Sequence, residues 1–391
     1  MSRAGARRGL AALLLSTISV TVPATAAVGS AAPAAPNGTQ CVPQVDTVFR
    51  PIPWAQRRLD PQRVWMLTRG GSVTVAIVDT GVSRSAPALA GRVQPGRDVR
   101  TGGPADSDCT GRGTFVAGLV AASPVGDSRV AGVAPDARIL PIRVSDRAED
   151  VHPDLLARAI EAAVQGGATV IAVVATAPFG SPALRQAVAL AGRRGALVIA
   201  AATTMRGQRG DVAYPAAQPG VVSVMGVGPD GRPPGAPASS RPALAAPGKD
   251  LVSVAPRGRG NVQGSGVGLA VGFVAGAAAL VRDYRPRLSP AAVRSRLTAT
   301  TDPVAGSDPL FGSGVVDPVA AVTAVLPAAT ELGPAPAEPD PVVLPPVPVV
   351  DRRPARAAAG WAAGVVLAGL AACLVGPILV RGRRRRWSVD P

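Results

Sequence analysis

The chain has 391 residues, 47% hydrophobic and 17% charged, which is enough to bury one sizeable core and leave residues over for tails. Its formal net charge of +16 would suit a nucleic-acid binder, but much of the excess sits in two terminal runs, Arg3, Arg7 and Arg8 and then Arg381 with Arg383 to Arg386. Both runs flank apolar segments and no aromatic-interleaved basic patch lies between them, so membrane topology accounts for the charge and no nucleic-acid partner is expected.

The first apolar segment runs from Leu10 to about Val22 and ends on the small residues Ala24, Thr25 and Ala26. A charged start, a greasy middle too short to span a bilayer and a small-residue exit predict an export signal over residues 1–26. An N-terminal arm over 27–59 follows, then a body over 60–325. In the body, apolar runs at Val73–Val78, Ile139–Val144, Thr169–Val174, Ala196–Ala201 and Val221–Val227 predict strands. Helical patterns at Gly113–Ala122, Pro153–Gln165 and Pro182–Arg193 fall between them. Continuous apolar strands alternating with helices predict a three-layer α/β domain around a mainly parallel sheet. Ligands of such sheets bind at the carboxyl ends of the strands. Two more helices are expected, Leu269–Tyr284 and one that Ser289 caps and Pro290 opens.

Beyond the body, the proline-dense stretch within 326–356 cannot donate enough backbone hydrogen bonds to fold and predicts an extended spacer. Residues 357–380 carry no charge and are long enough to cross a bilayer, against the roughly 20 residues required. The run RGRRRRW after them predicts a cytoplasmic tail over 381–391, with the body outside a single-pass anchor in the cell membrane. Gly360 and Gly364 form a G-x-x-x-G pair, a weak signal in so alanine-rich a segment. Cys373 lies within the anchor, which leaves Cys41 and Cys109 outside, where exported cysteines most simply pair.

The strand VTVAIV delivers Asp79 to the carboxyl edge of the sheet. By itself an aspartate there is more often a turn former or a cap than a catalyst. Around it, however, stand VTVAIVDTGV, DCTGRGTFVAG, GVAPDARILPIRV, YPAAQPGVVSVMGVGPDGRPP, LAAPGKDLVSVAP, GFVAGAAALVR and FGSGVVDPVAAV, in that order. With these blocks the chain resembles the subtilisin-like (S8) serine proteases and, among them, the mycosins, membrane-anchored members of type VII secretion systems. The resemblance implies a catalytic serine, a histidine that takes its proton, an aspartate that orients the histidine, and an asparagine that holds the oxyanion.

Only the aspartate, Asp79, is present as the family has it. Arg112 stands at the histidine's place, Gly268 at the serine's, Gly272 at the proline that follows it, and Thr204 at the oxyanion asparagine's. A guanidinium stays protonated and offers no acceptor lone pair, so it is no general base; glycine is no nucleophile. Two residues could restore the chemistry: His152, the single histidine, and Ser265 in QGSGVG, three residues out of register. The expected role of Arg112 is a charge-assisted partner for a part-buried Asp79. Three functions stay open: a pseudoprotease acting as a structural component beside the type VII membrane complex, an active S8 endopeptidase, and a peptide-binding module that uses the former substrate cleft. No cluster of Asp, Asn or Glu at ligand spacing points to a metal, and no cofactor is expected.

Overall fold

The computed structural model describes residues 41–206, 212–235, 238, 241–303 and 309–327, together with 366, 367 and 369. The expected export signal, residues 27–40 of the arm, the proline-rich spacer beyond 327 and the cytoplasmic tail lie outside the described residues; of the expected membrane anchor only 366, 367 and 369 are described, in helical conformation.

A seven-stranded sheet forms the middle layer, built from β1 (Thr74–Asp79), β2 (Arg97–Asp98), β3 (Arg138–Arg143), β4 (Val170–Val173), β5 (Leu197–Ala201), β6 (Val222–Val227) and β7 (Leu244–Pro247). Its order is β2-β3-β1-β4-β5-β6-β7 with every pairing parallel. The chain reaches β3 on one side of β1 and then crosses to β4 on the other, so the sheet reverses its winding at β1. That reversal opens a crevice at the strand's carboxyl end, where Asp79 lies. A separate antiparallel hairpin joins β8 (Leu251–Val254) to β9 (Asn261–Gly264).

Strand β1 shows why the pattern is apolar throughout. Val75 and Ile77 enter one core, with α2 (Arg112–Ala121) and α5 (Val267–Tyr284), while Ala76 and Val78 enter the other, with α3 (Pro153–Gln165) and α4 (Pro182–Arg193). A strand covered on both faces has no solvent side to carry polar residues. Helix α5 is long and apolar enough to cross a membrane by length and composition, yet it is buried in the domain against α2 and strands β4 to β7. A helix apolar all round is a core helix when other elements surround it.

The central strands and α3 and α4 fall where the sequence places them, within a residue or two at each end. Helix α6 (Pro290–Ala299) begins as expected, with the Ser289 hydroxyl accepting from the Ala292 amide at 3.1 Å. Helix α5 begins two residues earlier than its apolar pattern, at Val267, because the glycines flanking that residue hid the first turn. Strands β2, β7, β8 and β9 and helices α1 (Trp54–Leu59) and α7 (Pro318–Thr323) were not legible: they are short, and all but β8 contain Pro, Gly or charged residues. The N-terminal segment is tied down at several points. The disulfide expected between Cys41 and Cys109 is formed. Val42 donates to the Cys109 carbonyl at 2.7 Å and Asn261 to the Thr47 carbonyl at 2.9 Å, and Ala55 and Leu59 reach the core.

The disulfide closes a separation of 68 residues, so Cys41→Ser is expected to lower stability by about 2–4 kcal/mol, read in urea, and to expose residues 41–50 to protease. Asp283 makes a second anchor. Burial pushes its carboxyl upward, but hydrogen bonds outweigh that and hold it below the usual carboxylate range: Ser72 through hydroxyl and amide, the Thr68 hydroxyl at 2.8 Å and the Gly70 amide at 3.0 Å. A lowered folded pKa stabilises above the unfolded value of about 4, and the contribution is lost as pH falls through the folded one. Acid titration of the urea midpoint should therefore decline more steeply below about pH 4 for this chain than for Asp283→Asn.

Candidate active site

Asp79 is the last residue of β1, in register with Arg143 of β3, and its side chain is 0% exposed. An isolated carboxylate there is costly to keep ionised without a counter-charge or several donors. The turn DCTGRG supplies the counter-charge. Asp108 builds the turn: one carboxylate oxygen accepts from the Thr80 hydroxyl at 3.0 Å and the Gly111 amide at 2.8 Å, the other from the Thr114 amide at 2.8 Å and hydroxyl at 2.7 Å. Burial pushes the Asp108 carboxyl up against those hydrogen bonds, and the nearby charge of Asp79 pushes the same way. Helix α2 then starts at Arg112, pressed on the loop after β1. A Cβ on Gly113 would lie 2.0 Å from the Gly81 carbonyl oxygen, so only glycine permits this approach.

The result is an Asp79–Arg112 ion pair. Nε of Arg112 donates to both carboxylate oxygens, at 3.0 and 2.9 Å, and Nη2 adds a second bond to Oδ1. The Arg112 side chain is 11% exposed, and its remaining Nη1 contacts the Met205 sulfur at 2.9 Å. Arginine thus ties β1 to the segment after β5. That segment is braced by Asp150, whose Oδ1 accepts from the Met205 amide at 2.9 Å and the Thr176 hydroxyl at 2.6 Å.

A cleft of about 580 Å³ opens over this edge, walled by Arg112, Thr204 and Met205 on one side and Gly264, Ser265 and Gly268 on the other. The fold therefore gathers the three positions that resemblance assigns to histidine, oxyanion asparagine and serine, with Asp79 covered behind Arg112. Gly268 lies in the first turn of α5, where a Cβ would sit 3.2 Å from the Val174 side chain. The two alternative residues are engaged elsewhere. Ser265 lines the cleft, but its hydroxyl accepts from the Asp250 amide at 2.9 Å. His152 caps α3, its Nδ1 accepting from the Asp154 amide at 3.4 Å and its ring edge-on to Phe179; the side chain is 63% exposed and forms no part of the cleft wall. Among the described residues neither is hydrogen-bonded to Asp79.

Sequence reasoning missed Asp108, Asp150 and Met205. Asp108 had a signal: an aspartate three residues before a glycine that enters a helix is a turn and capping pattern. Met205 had none, because its part depends on where β5 ends in space.

The family model described as Peptidase_S8, subtilase family, matches residues 70–314. The chain belongs to the subtilase family. It is 34% identical to Mycosin-1 of Mycobacterium tuberculosis over 384 residues, which cover 82% of this chain and 84% of that one, and so stands among the mycosins of that family. The crystal structure of MycP1 from Mycobacterium smegmatis matches with a TM-score of 0.65 at 28% identity, covering 78% of this chain and 94% of that one. A further structure, of a serine protease MycP1 described as an essential component of the type VII (ESX-1) secretion system, matches at 0.62 and 30% identity over 73% and 92% of the two chains.

In this subtilase the buried Asp79 carboxylate, which resemblance matches to the family's aspartate, is paired with arginine. Arg112→Ala leaves that carboxylate buried and unpaired, and is expected to cost about 3–5 kcal/mol in urea denaturation. Asp79→Asn combined with Arg112→Ala should recover most of the loss, a coupling that a double-mutant cycle measures directly.

Proposed function

We propose that this subtilase is a catalytically silent, mycosin-like subunit of a type VII secretion system, anchored by residues 357–380 with its folded body outside the cytoplasmic membrane. The observation that carries the reading is the forked Arg112–Asp79 pair beside Gly268. Peptide hydrolysis on this fold needs a hydroxyl to attack and a neutral base to take its proton. At the two matching positions stand a glycine and a permanent cation. In subtilisin, loss of serine or histidine alone lowers turnover by about 10⁶-fold. The type VII assignment follows from likeness to MycP1, described as an essential component of such a system. Export signal, spacer, anchor and basic tail suit a protein that holds a surface toward the outward-facing parts of a membrane complex.

A second reading has one observation in its favour: the cleft remains open, and strand β9 contributes Gln263 and Gly264 to its wall, a sheet edge to which an extended peptide could pair. An active endopeptidase rests on the fold alone.

Labelling the purified chain with a fluorophosphonate separates these readings, since only an activated serine reacts. No label is expected on the chain, nor on Arg112→His, because position 268 offers no oxygen. A labelled Ser265 in either protein establishes the endopeptidase instead. Co-purification of type VII membrane-complex proteins with the full chain, and its loss on deletion of 326–391, tests the scaffold.

A further inference from the structure

Because every pairing in the seven-stranded sheet is parallel, all its strands begin at one edge, opposite the edge that carries the cleft. That amino edge is basic and, at one turn, apolar. The turn Trp65–Thr68 is pinned on both sides of two apolar residues: the Trp65 indole donates to the Val133 carbonyl at 3.0 Å and the Thr68 hydroxyl to Asp283 at 2.8 Å. Between these pins Met66 is 94% and Leu67 52% exposed. Tyr284, the last residue of α5 and the neighbour of Asp283, is 44% exposed, with the Arg285 guanidinium 5.6 Å from its ring. Single exposed apolar residues need no explanation; two held outward by a pinned turn, beside an aromatic, do. The free charge around them has one sign. Arg138 opens β3 and donates to the Ser72 carbonyl at 3.4 Å. Arg193 and Arg194 precede β5, where the buried Arg282 donates to the Gly195 carbonyl at 2.8 Å, and Arg287 follows α5. Arg138, Arg193, Arg194 and Arg287 are exposed and form no ion pair among the described residues. The carboxylates of these segments are already committed, Asp136 to Arg69 and Arg92 and Asp283 to Thr68, Gly70 and Ser72.

We propose that this amino edge docks on the surface of an anionic phospholipid bilayer, with Met66 and Leu67 inserted at the acyl-chain boundary and the arginines on the lipid phosphates. The inference rests on the membrane-anchored part of the reading above and not on whether the cleft is catalytic. Two observations select a bilayer over an acidic protein. First, the described body ends through α7, which packs against the helical turn Pro61–Val64 that leads into Trp65, so the chain leaves the body beside the patch; Val325, on that exit, is 96% exposed. Second, the apolar side chains project from a turn instead of lining a groove. A projection of this kind enters a fluid layer without a matching pocket, and an aromatic with arginines beside it suits the headgroup region. A tether keeps the edge at high effective concentration near the lipid, so a weak contact is enough to hold it there. Docked this way, the Asp79–Arg112 cleft at the strands' carboxyl ends faces away from the bilayer.

The experiment uses the full chain carrying Cys373→Ser, so that with Cys41 and Cys109 joined a single introduced thiol takes an NBD fluorophore. The thiol is placed at Met66→Cys or, as the control, at Phe179→Cys, an exposed position past the carboxyl end of β4. Each chain is reconstituted into vesicles of phosphatidylcholine alone or mixed about 2:1 with phosphatidylglycerol, with and without brominated acyl chains. In the anionic vesicles the bromines should quench the label at 66 about twofold and leave the label at 179 unchanged, since interfacial segments sit roughly 5–10 Å into the headgroup and acyl boundary. In phosphatidylcholine alone, an arm that needs no further substitution, the quenching at 66 should fall at least about threefold. Arg193→Gln, Arg194→Gln and Arg287→Gln together should lower it as much in the anionic vesicles with the thermal midpoint unchanged, because these side chains lie in no ion pair. Carbonate extraction of the same vesicles reads the anchor separately. Quenching at 66 in a chain that carbonate removes keeps the docking and overturns the anchor; a resistant chain with no quenching at 66 does the reverse. An acidic protein partner would leave the label at 66 unquenched in both vesicles. That result, equal quenching at 66 and 179, or quenching at 66 indifferent to lipid charge and to the three arginines would each overturn the proposal.

Discussion

The arrangement at the sheet's carboxyl edge depends on one charge: the Asp79 carboxylate, closed off from water at the end of the central strand. The sheet reverses direction beside it, so whatever neutralises that carboxylate also joins elements distant in the chain. Arg112 does so with three hydrogen bonds and then reaches Met205 beyond β5. Histidine at this point would leave one nitrogen toward the cleft for chemistry. Arginine commits its fork to the aspartate and spends the rest on a thioether.

Around that pair lies an open cleft. Thr204 and Gly268 face the same space as Arg112, and the arm held by the Cys41–Cys109 disulfide contributes Val42 to its rim. The relative MycP1 is described as a serine protease and an essential component of the type VII (ESX-1) secretion system. The fold alone does not assign the task; the side chains at 79, 112, 204 and 268 do most to narrow it.

Arginine recurs as internal mortar in this protein. Arg296 is fully buried and donates to the carbonyls of Ala321 and Ala324 at the end of α7, where the helix dipole favours a cation. Arg143 bonds the Thr80 carbonyl at 3.1 Å and both the backbone and hydroxyl of Ser107, holding the loop after β1. Several planar donors in a rigid fork allow one side chain to satisfy carbonyls from different segments, which a lysine ammonium does less well. Arg193, Arg194 and Arg287 differ, because they stand exposed at the strands' amino edge and no carboxylate meets them among the described residues.

The sequence by itself determined the layered α/β class, the central strands, helices α3 and α4, the Cys41–Cys109 pairing and the absence of a base at 112 and a hydroxyl at 268. These follow from local quantities: apolar periodicity, cap residues, cysteine count and side-chain chemistry at motif positions. Tertiary structure decided the rest. That Arg112 forks onto Asp79, that Ser265 is held by Asp250 and His152 by Asp154, and that the turn of Met66 and Leu67 shares an edge with Arg138, Arg193 and Arg287 are facts of distance between segments far apart in the chain. Periodicity and motif spacing carry no information about such distances, because they are set only when the strands pair and the helices pack across them.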